Sequence, residues 1–136
     1  MKVTPNNVKR FLEEKQFVKF KSILFYGNNV GLIHNYIVSV CDKFLTNAVS
    51  AEQKGLSKVT FDYPTIVVNP GLLLNEIGAL DFFSKKKIII IDEVAGAISK
   101  QLEQILLEKQ DKDILIIFCG SRISTKDQIY KFFVIW

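Results

Sequence analysis

Lys87-Ile88-Ile89-Ile90-Ile91-Asp92-Glu93 is the stretch on which the fold turns. Ile88 to Ile91 is β-branched throughout and has no polar alternation. A strand wet on one face would alternate, so Lys87 to Ile91 predicts a strand covered on both faces, as in a parallel sheet. Ile114 to Cys119 repeats the pattern and is closed by Gly120. Ser22 to Tyr26 is a third apolar run, stopped by Gly27, and Lys58 to Phe61 reads as a further short strand.

Between these runs the apolar spacing changes from two to three and four, as on a helix. From Gly31 onward Leu32, Tyr36, Ile37, Val40 and Phe44 share a face. Leu73, Leu74 and Ile77 do so in Gly71 to Leu80, and Ile98, Leu102, Ile105 and Leu106 in Ala97 to Lys109. Thr125 to Phe133 reads as a further helix with Thr125 as its cap. Thr4-Pro5 reads as the cap and first position of an opening helix that ends near Gln16. Asp62 to Pro70 reads as a connecting loop. Strands alternating with helices predict an α/β fold around a parallel sheet, with helices on both faces.

The chain of 136 residues fits one domain, residues 1–136, and 49% hydrophobic residues suffice for one core. Mean hydropathy is only +0.20, and the longest apolar runs are too short to span a bilayer. Met1 to Lys19 lacks the apolar segment of a secretory signal, so a cytoplasmic location and no membrane partner are expected. Cys41 is expected on a helix and Cys119 at a buried strand end. Neither has partners at metal-ligand spacing, which predicts two reduced buried thiols and no metal site. The formal net charge of +4 is only mildly basic. Lys85-Lys86-Lys87 reads as a solvated turn before a strand rather than a DNA patch.

Gly27-Asn28-Asn29-Val30-Gly31 follows a strand and opens a helix, the position of a phosphate-binding loop. A working loop also needs a Lys for the terminal phosphates and a Ser or Thr hydroxyl for magnesium. Counting from Gly27, those positions hold Ile33 and His34, and Leu32 stands where the last glycine belongs. The second glycine, Gly31, arrives one position early, and the next lysine is Lys43. The loop therefore reads as a turn that keeps the fold without the phosphate chemistry. His34, alone in a first helical turn, reads as an exposed residue.

Ile88 to Glu93 has the form of a Walker B element. In active AAA+ ATPases the Asp helps hold magnesium and the Glu polarises the attacking water. An acidic pair after a strand is also common in ordinary loops and caps. With no lysine or hydroxyl from the other loop, Asp92 and Glu93 read as a vestigial pair on a surface turn. No catalytic residue and no cofactor follow from these motifs.

Four segments, in their order and spacing, resemble one family. They are Ile23 to Ile33; Val59-Thr-Phe-Asp62 with Pro70 to Glu76; Leu80-Asp-Phe-Phe-Ser-Lys-Lys-Lys-Ile88; and Ile116 to Gly120 with Ser124-Thr-Lys126 and Ile129 to Phe133. Together they are similar to the first domain of the delta subunit of the bacterial DNA polymerase III clamp loader. The resemblance implies a P-loop NTPase-like (AAA+) parallel sheet with a degenerate nucleotide site. It implies a subunit that binds and opens the sliding clamp (the beta subunit) in DNA replication. The clamp contact of the family is a hydrophobic pair, usually Leu-Phe, just before the central strand; here the matching residues are Phe82 and Phe83, after Leu80. The implied partners are the clamp and the gamma/tau and delta prime subunits, with DNA reached indirectly through the complex. Full-length delta subunits continue into a lid and a C-terminal collar domain, which are expected to be absent from this chain. No intrinsic activity is expected. DNA-directed DNA polymerase activity would belong to the holoenzyme, because nucleotidyl transfer needs two metal-binding carboxylates in a template cleft and Asp92-Glu93 is the only candidate pair.

Two other readings of the residues stay open at this point. One is a small P-loop-like nucleotide hydrolase with an atypical loop. The other is a structural α/β interaction domain outside replication.

Overall fold

A computed structural model describes residues 22–45, 58–78, 86–108, 114–124 and 126–135 of the protein. The strands are β1 (Ser22–Tyr26), β2 (Lys58–Asp62), β3 (Lys87–Asp92) and β4 (Ile114–Gly120). They form one parallel sheet in the order β1-β4-β3-β2. The helices are α1 (Val30–Leu45), α2 (Tyr63–Val68), α3 (Gly71–Gly78), α4 (Lys100–Glu108) and α5 (Gln128–Ile135).

The isoleucine run works as its composition predicts. Successive strand side chains point to opposite faces, and both faces are covered. Ile89 and Ile91, with Ile116 and Phe118, pack against Tyr63 and Ile66 of α2, Leu73 of α3, Leu102, Ile105 and Leu106 of α4, and Ile129 of α5. Ile88, with Leu115, Ile117 and Cys119, packs on the other face against Ile37, Val40, Cys41 and Phe44 of α1. Ile88, Ile89 and Ile91 are fully buried, each contributing about 1.5–3 kcal/mol of apolar burial. Among the described residues no helix is long and apolar enough to cross a membrane.

Residues 62–70 are not the loop expected from the sequence. Asp62 is an N-cap whose Oδ1 accepts the Thr65 N–H at 2.8 Å, and a proline stands in the first turn of α2. A proline there costs no hydrogen bond, because the first helical N–H groups have no partner within the helix. Tyr63 and Ile66 bury the inner face, and Tyr63 Oη donates to the Ala97 carbonyl at 2.6 Å. Helix α4 begins at Lys100 rather than Ala97, because Ser99 Oγ accepts the Leu102 N–H and caps it there. Helix α5 begins at Gln128, after a turn in which Asp127 Oδ2 accepts the Ser124 N–H. The expected cap Thr125, the opening helix Thr4 to Gln16, and the ends of the helices predicted to Leu80 and Lys109 lie outside the described residues.

At Lys86 and Lys87 the chain is not the solvated turn expected of the lysine run. Lys86 Nζ stands 4.9 Å from the centroid of the Phe44 ring on the α1 face. Lys87 is buried on the opposite face and pairs with Glu76 of α3 at 3.0 Å. Strand alternation divides the two charges between the two sides of the sheet. Lys85 lies outside the described residues.

Hydrogen bonding from Thr65, its side chain first and its backbone N–H second, holds the Asp62 carboxyl below its ordinary value of 3.8. A depressed carboxylate stabilises the fold above its unfolded value, and that contribution is lost as pH falls through the folded value. Asp62→Asn keeps a capping oxygen but cannot titrate. Its melting temperature is expected to match the parent near neutrality and to fall less steeply below about pH 4. Melting curves across a pH series check this; an identical acid slope contradicts it.

Candidate functional site

Parallel strands deliver their C-terminal ends to one edge of the sheet. In the β1–β4 register Tyr26 lies opposite Gly120, and in the β3–β4 register Ile91 lies opposite Phe118. Gly27, Gly120 and Asp92 therefore emerge at the same edge. A cleft of about 290 Å³ opens there, lined by Val30, Ile33, Asp92, Glu93, Cys119, Gly120 and Ser121. The glycine-loop segment and the acidic pair, far apart in sequence, thus border one cleft. Strand β4 separates them by two inter-strand steps, about 10 Å.

On the β1 side, Gly27 has φ +145°, a conformation open to glycine, and makes the turn out of the strand. Asn29 Oδ1 accepts the Leu32 N–H at 3.0 Å, and the Asn29 carbonyl accepts the Ile33 N–H at 3.0 Å. Asn29 is therefore the N-cap of α1. The helix begins at Val30, so Gly31 is already in its first turn and only Gly27, Asn28 and Asn29 span from strand to helix. A Cβ on Gly31 would meet only Asn29 Oδ1, at 3.8 Å, so no close approach requires a glycine there. Ile33 faces the cleft with an apolar side chain. His34 is exposed.

On the β3 side, Asp92 is exposed and its Oδ1 accepts the Cys119 Sγ–H at 2.9 Å. Burial first, and then the hydrogen bond and negative charge of Asp92, push the Cys119 thiol up to about 12. Burial likewise pushes the Cys41 thiol up to about 11. Glu93 has φ +59°, the left-handed region that L side chains enter at a cost of about 1–2 kcal/mol. That turn sends the chain back inward. Val94 is 1% exposed, and its N–H donates to the Cys119 carbonyl at 3.0 Å. The Gly96 carbonyl accepts from Ile129 N–H, the Ala97 carbonyl accepts from Tyr63 Oη, and Ile98 is buried. The loop after the acidic pair is thus fastened to α2, α5 and the end of β4.

Thiolate is the reactive form of cysteine, so neither thiol should react readily at mild pH. In the folded chain at pH 8, iodoacetamide is expected to modify Cys41 and Cys119 at least about tenfold slower than in urea. Mass spectrometry of the quenched reaction reads this; rapid labelling of folded Cys119 contradicts it.

The structure brings Asp92, Glu93 and the helix start after Gly27-Asn28-Asn29 to one place. It adds Cys119 and Ser121, which the sequence reading did not place in a site. The register between β3 and β4 sets the Cys119–Asp92 contact, and no local pattern encodes that. Among the described residues no three His, Cys, Asp or Glu side chains group to hold a metal ion. Leu80, Phe82 and Phe83, expected to touch a partner, lie outside the described residues.

A model of the family described as DNA polymerase III, delta subunit, matches residues 23–134. The matched span runs from the second residue of β1 into the last turn of α5 and includes the cleft and the 79–85 connection. No curated protein matches the chain.

Proposed function

Because the chain belongs to the DNA polymerase III delta-subunit family, and so to the clamp-loader machinery of DNA replication, we propose that it is a non-catalytic module that binds and opens the sliding clamp. Leu80, Phe82 and Phe83 make the contact. An aromatic pair entering a partner pocket supplies the kind of anchor that dominates an interface. Opening is a population shift: binding energy at the pocket offsets the loss of a clamp interface. In the complex, ATP binding by the neighbouring gamma/tau subunits frees this surface, delta prime completes the assembly, and DNA is reached through the complex. A cytoplasmic location follows from that role.

The observation that carries the proposal is the family match over residues 23–134, which spans the aromatic pair. The cleft supports the non-catalytic part and an AAA+-like origin. A strand, a turn and a helix meet an acidic pair at one sheet edge, where an ancestral nucleotide site would lie. Gly27, Asn28, Asn29 and Gly31 are its degenerate loop, and Asp92 and Glu93 its vestigial acidic pair. Asn29 occupies a helix N–H that a phosphate would use, and Ile33 stands in place of the lysine. Nothing at the cleft favours the hydrolase reading.

Clamp opening is the step to test. Added to clamps preloaded on nicked circular DNA, the chain is expected to release them without ATP. Clamps that stay on the DNA at saturating chain would contradict the proposal.

A further inference from the structure

Strand β3 reads Lys87-Ile88-Ile89-Ile90-Ile91-Asp92 and lies between β2 and β4. Ile88 pairs with Leu115, Ile89 with Ile116 and Ile90 with Ile117. A one-residue slip normally turns an apolar set to the wrong face, and that penalty fixes a strand's register. Here both faces meet apolar clusters, and a slipped β3 would still present isoleucine at three of the four positions 88–91. Burial of the run therefore leaves its register undecided, and the charged ends must decide it.

A slip toward the N-terminal edge of the sheet would carry Asp92 into the place of Ile91, which is fully buried. A slip toward the C-terminal edge moves Asp92 further into solvent, so the opposing charge must come from the other end. The backbone bond from the Val94 N–H to the Cys119 carbonyl does not depend on side-chain identity. Lys87 stands at that other end, with 8% exposure. By strand alternation it shares the face of Ile89 and Ile91. Its Nζ donates to Glu76 Oε1 at 3.0 Å and to the Glu76 carbonyl at 3.3 Å. In the slipped strand Lys86 would stand opposite Glu76, but Lys87 would take the place of Ile88, fully buried beside Val40, Phe44 and Leu115. An ammonium buried there without a carboxylate is strongly disfavoured. An apolar residue at position 87 would commonly serve stability as well as the ion pair does. What the lysine adds is a single register.

We propose that Lys87, seated on Glu76, is the register stop of β3. It is thereby a positioning residue for Asp92, because a slip moves the strand by about 3.3 Å. In the native register Asp92 Oδ1 accepts the Cys119 Sγ–H at 2.9 Å, and in the slipped one that contact is lost. The stop acts within the sheet, whatever partner the chain meets.

Lys87→Ile extends the run to five isoleucines and allows Lys86 to move opposite Glu76. In the isotopically labelled full chain, cross-strand nuclear Overhauser contacts between β3 and β4 read the register directly. The parent is expected to give one set of resonances, with Ile89 against Ile116. Lys87→Ile is expected to keep a cooperative melt and to show a second set, with Ile88 against Ile116, populated to about 10% or more. Lys87→Arg, which keeps the charge, returns a single set. Should Lys87→Ile aggregate, Lys87→Met is read in the same way. A single native set in the apolar variant that folds overturns the stop. Loss of the fold in both apolar variants overturns it too, since a stop selects the register without being needed for the core.

Discussion

A chain carrying both Phe82→Ala and Phe83→Ala is expected to lose clamp affinity by on the order of 100-fold or more while melting close to the parent. An aromatic anchor in a partner pocket is commonly worth at least about 2 kcal/mol, or some 30-fold. On the proposed reading the pair meets the clamp and not this chain's own core. Removing it should cost binding and little stability. A fluorescence anisotropy titration against labelled clamp gives the affinity, and a thermal melt of the same sample gives the stability. A large fall in melting temperature with unchanged affinity would place the pair in the core instead.

Gly120→Ala is the substitution with the largest expected effect on stability. A Cβ at Gly120 would fall within van der Waals contact of the Val94 carbonyl oxygen and crowd the Ile123 side chain. The Val94 carbonyl is backbone, and it cannot swing aside as a side-chain tip would. Val94 is held by its N–H bond to Cys119 and by its own burial, and the loop beyond it is tied to Ile129 and Tyr63. Relief must move β4 or lift the loop. The expected loss is about 3 kcal/mol, at the upper end for overpacking. For a chain of this length that lowers the melting temperature by about 10 °C. Gly96→Ala is the contrast: Gly96 has φ +74° but no atom within 4 Å of an added Cβ, so only backbone strain opposes the change. Equal stability losses for the two variants would show that loop strain, not the Gly120 contact, governs this edge.

Strands β1, β3 and β4 were legible because each carries a continuous apolar run ended by a glycine or an acidic residue, whereas β2, Lys58–Asp62, alternates polar and apolar residues and gave a weaker signal. Ile88 to Ile91 has no other economical arrangement than burial on both faces. Helix α2 was obscured because Pro64 and Pro70 stand within or beside so short a segment, and Asp62 to Pro70 read as a connecting loop. Its signal was present in Asp62 with a proline in the first turn, but a helix of this length shows too little periodicity to outweigh two prolines. Lys86 and Lys87 misled for a related reason. A charge run suggests solvent, whereas strand alternation had already assigned the two lysines to different faces. At the site, the missing lysine and hydroxyl were readable by counting from Gly27. That Asn29 caps α1, and that Cys119 donates to Asp92, were not: the first depends on where the helix begins, the second on the pairing of two strands distant in sequence. The resemblance to delta subunits was legible in the order of four segments, and the family match over residues 23–134 bears it out.

Calorimetric titration of purified sliding clamp into the chain, once without nucleotide and once with saturating magnesium-ATP, probes contact and chemistry together. Superimposable isotherms with measurable affinity are what the proposed reading predicts, in which the contact surface works alone and the cleft takes up no triphosphate. Binding that appears only in the presence of magnesium-ATP, or no binding in either titration, would contradict a nucleotide-independent clamp module.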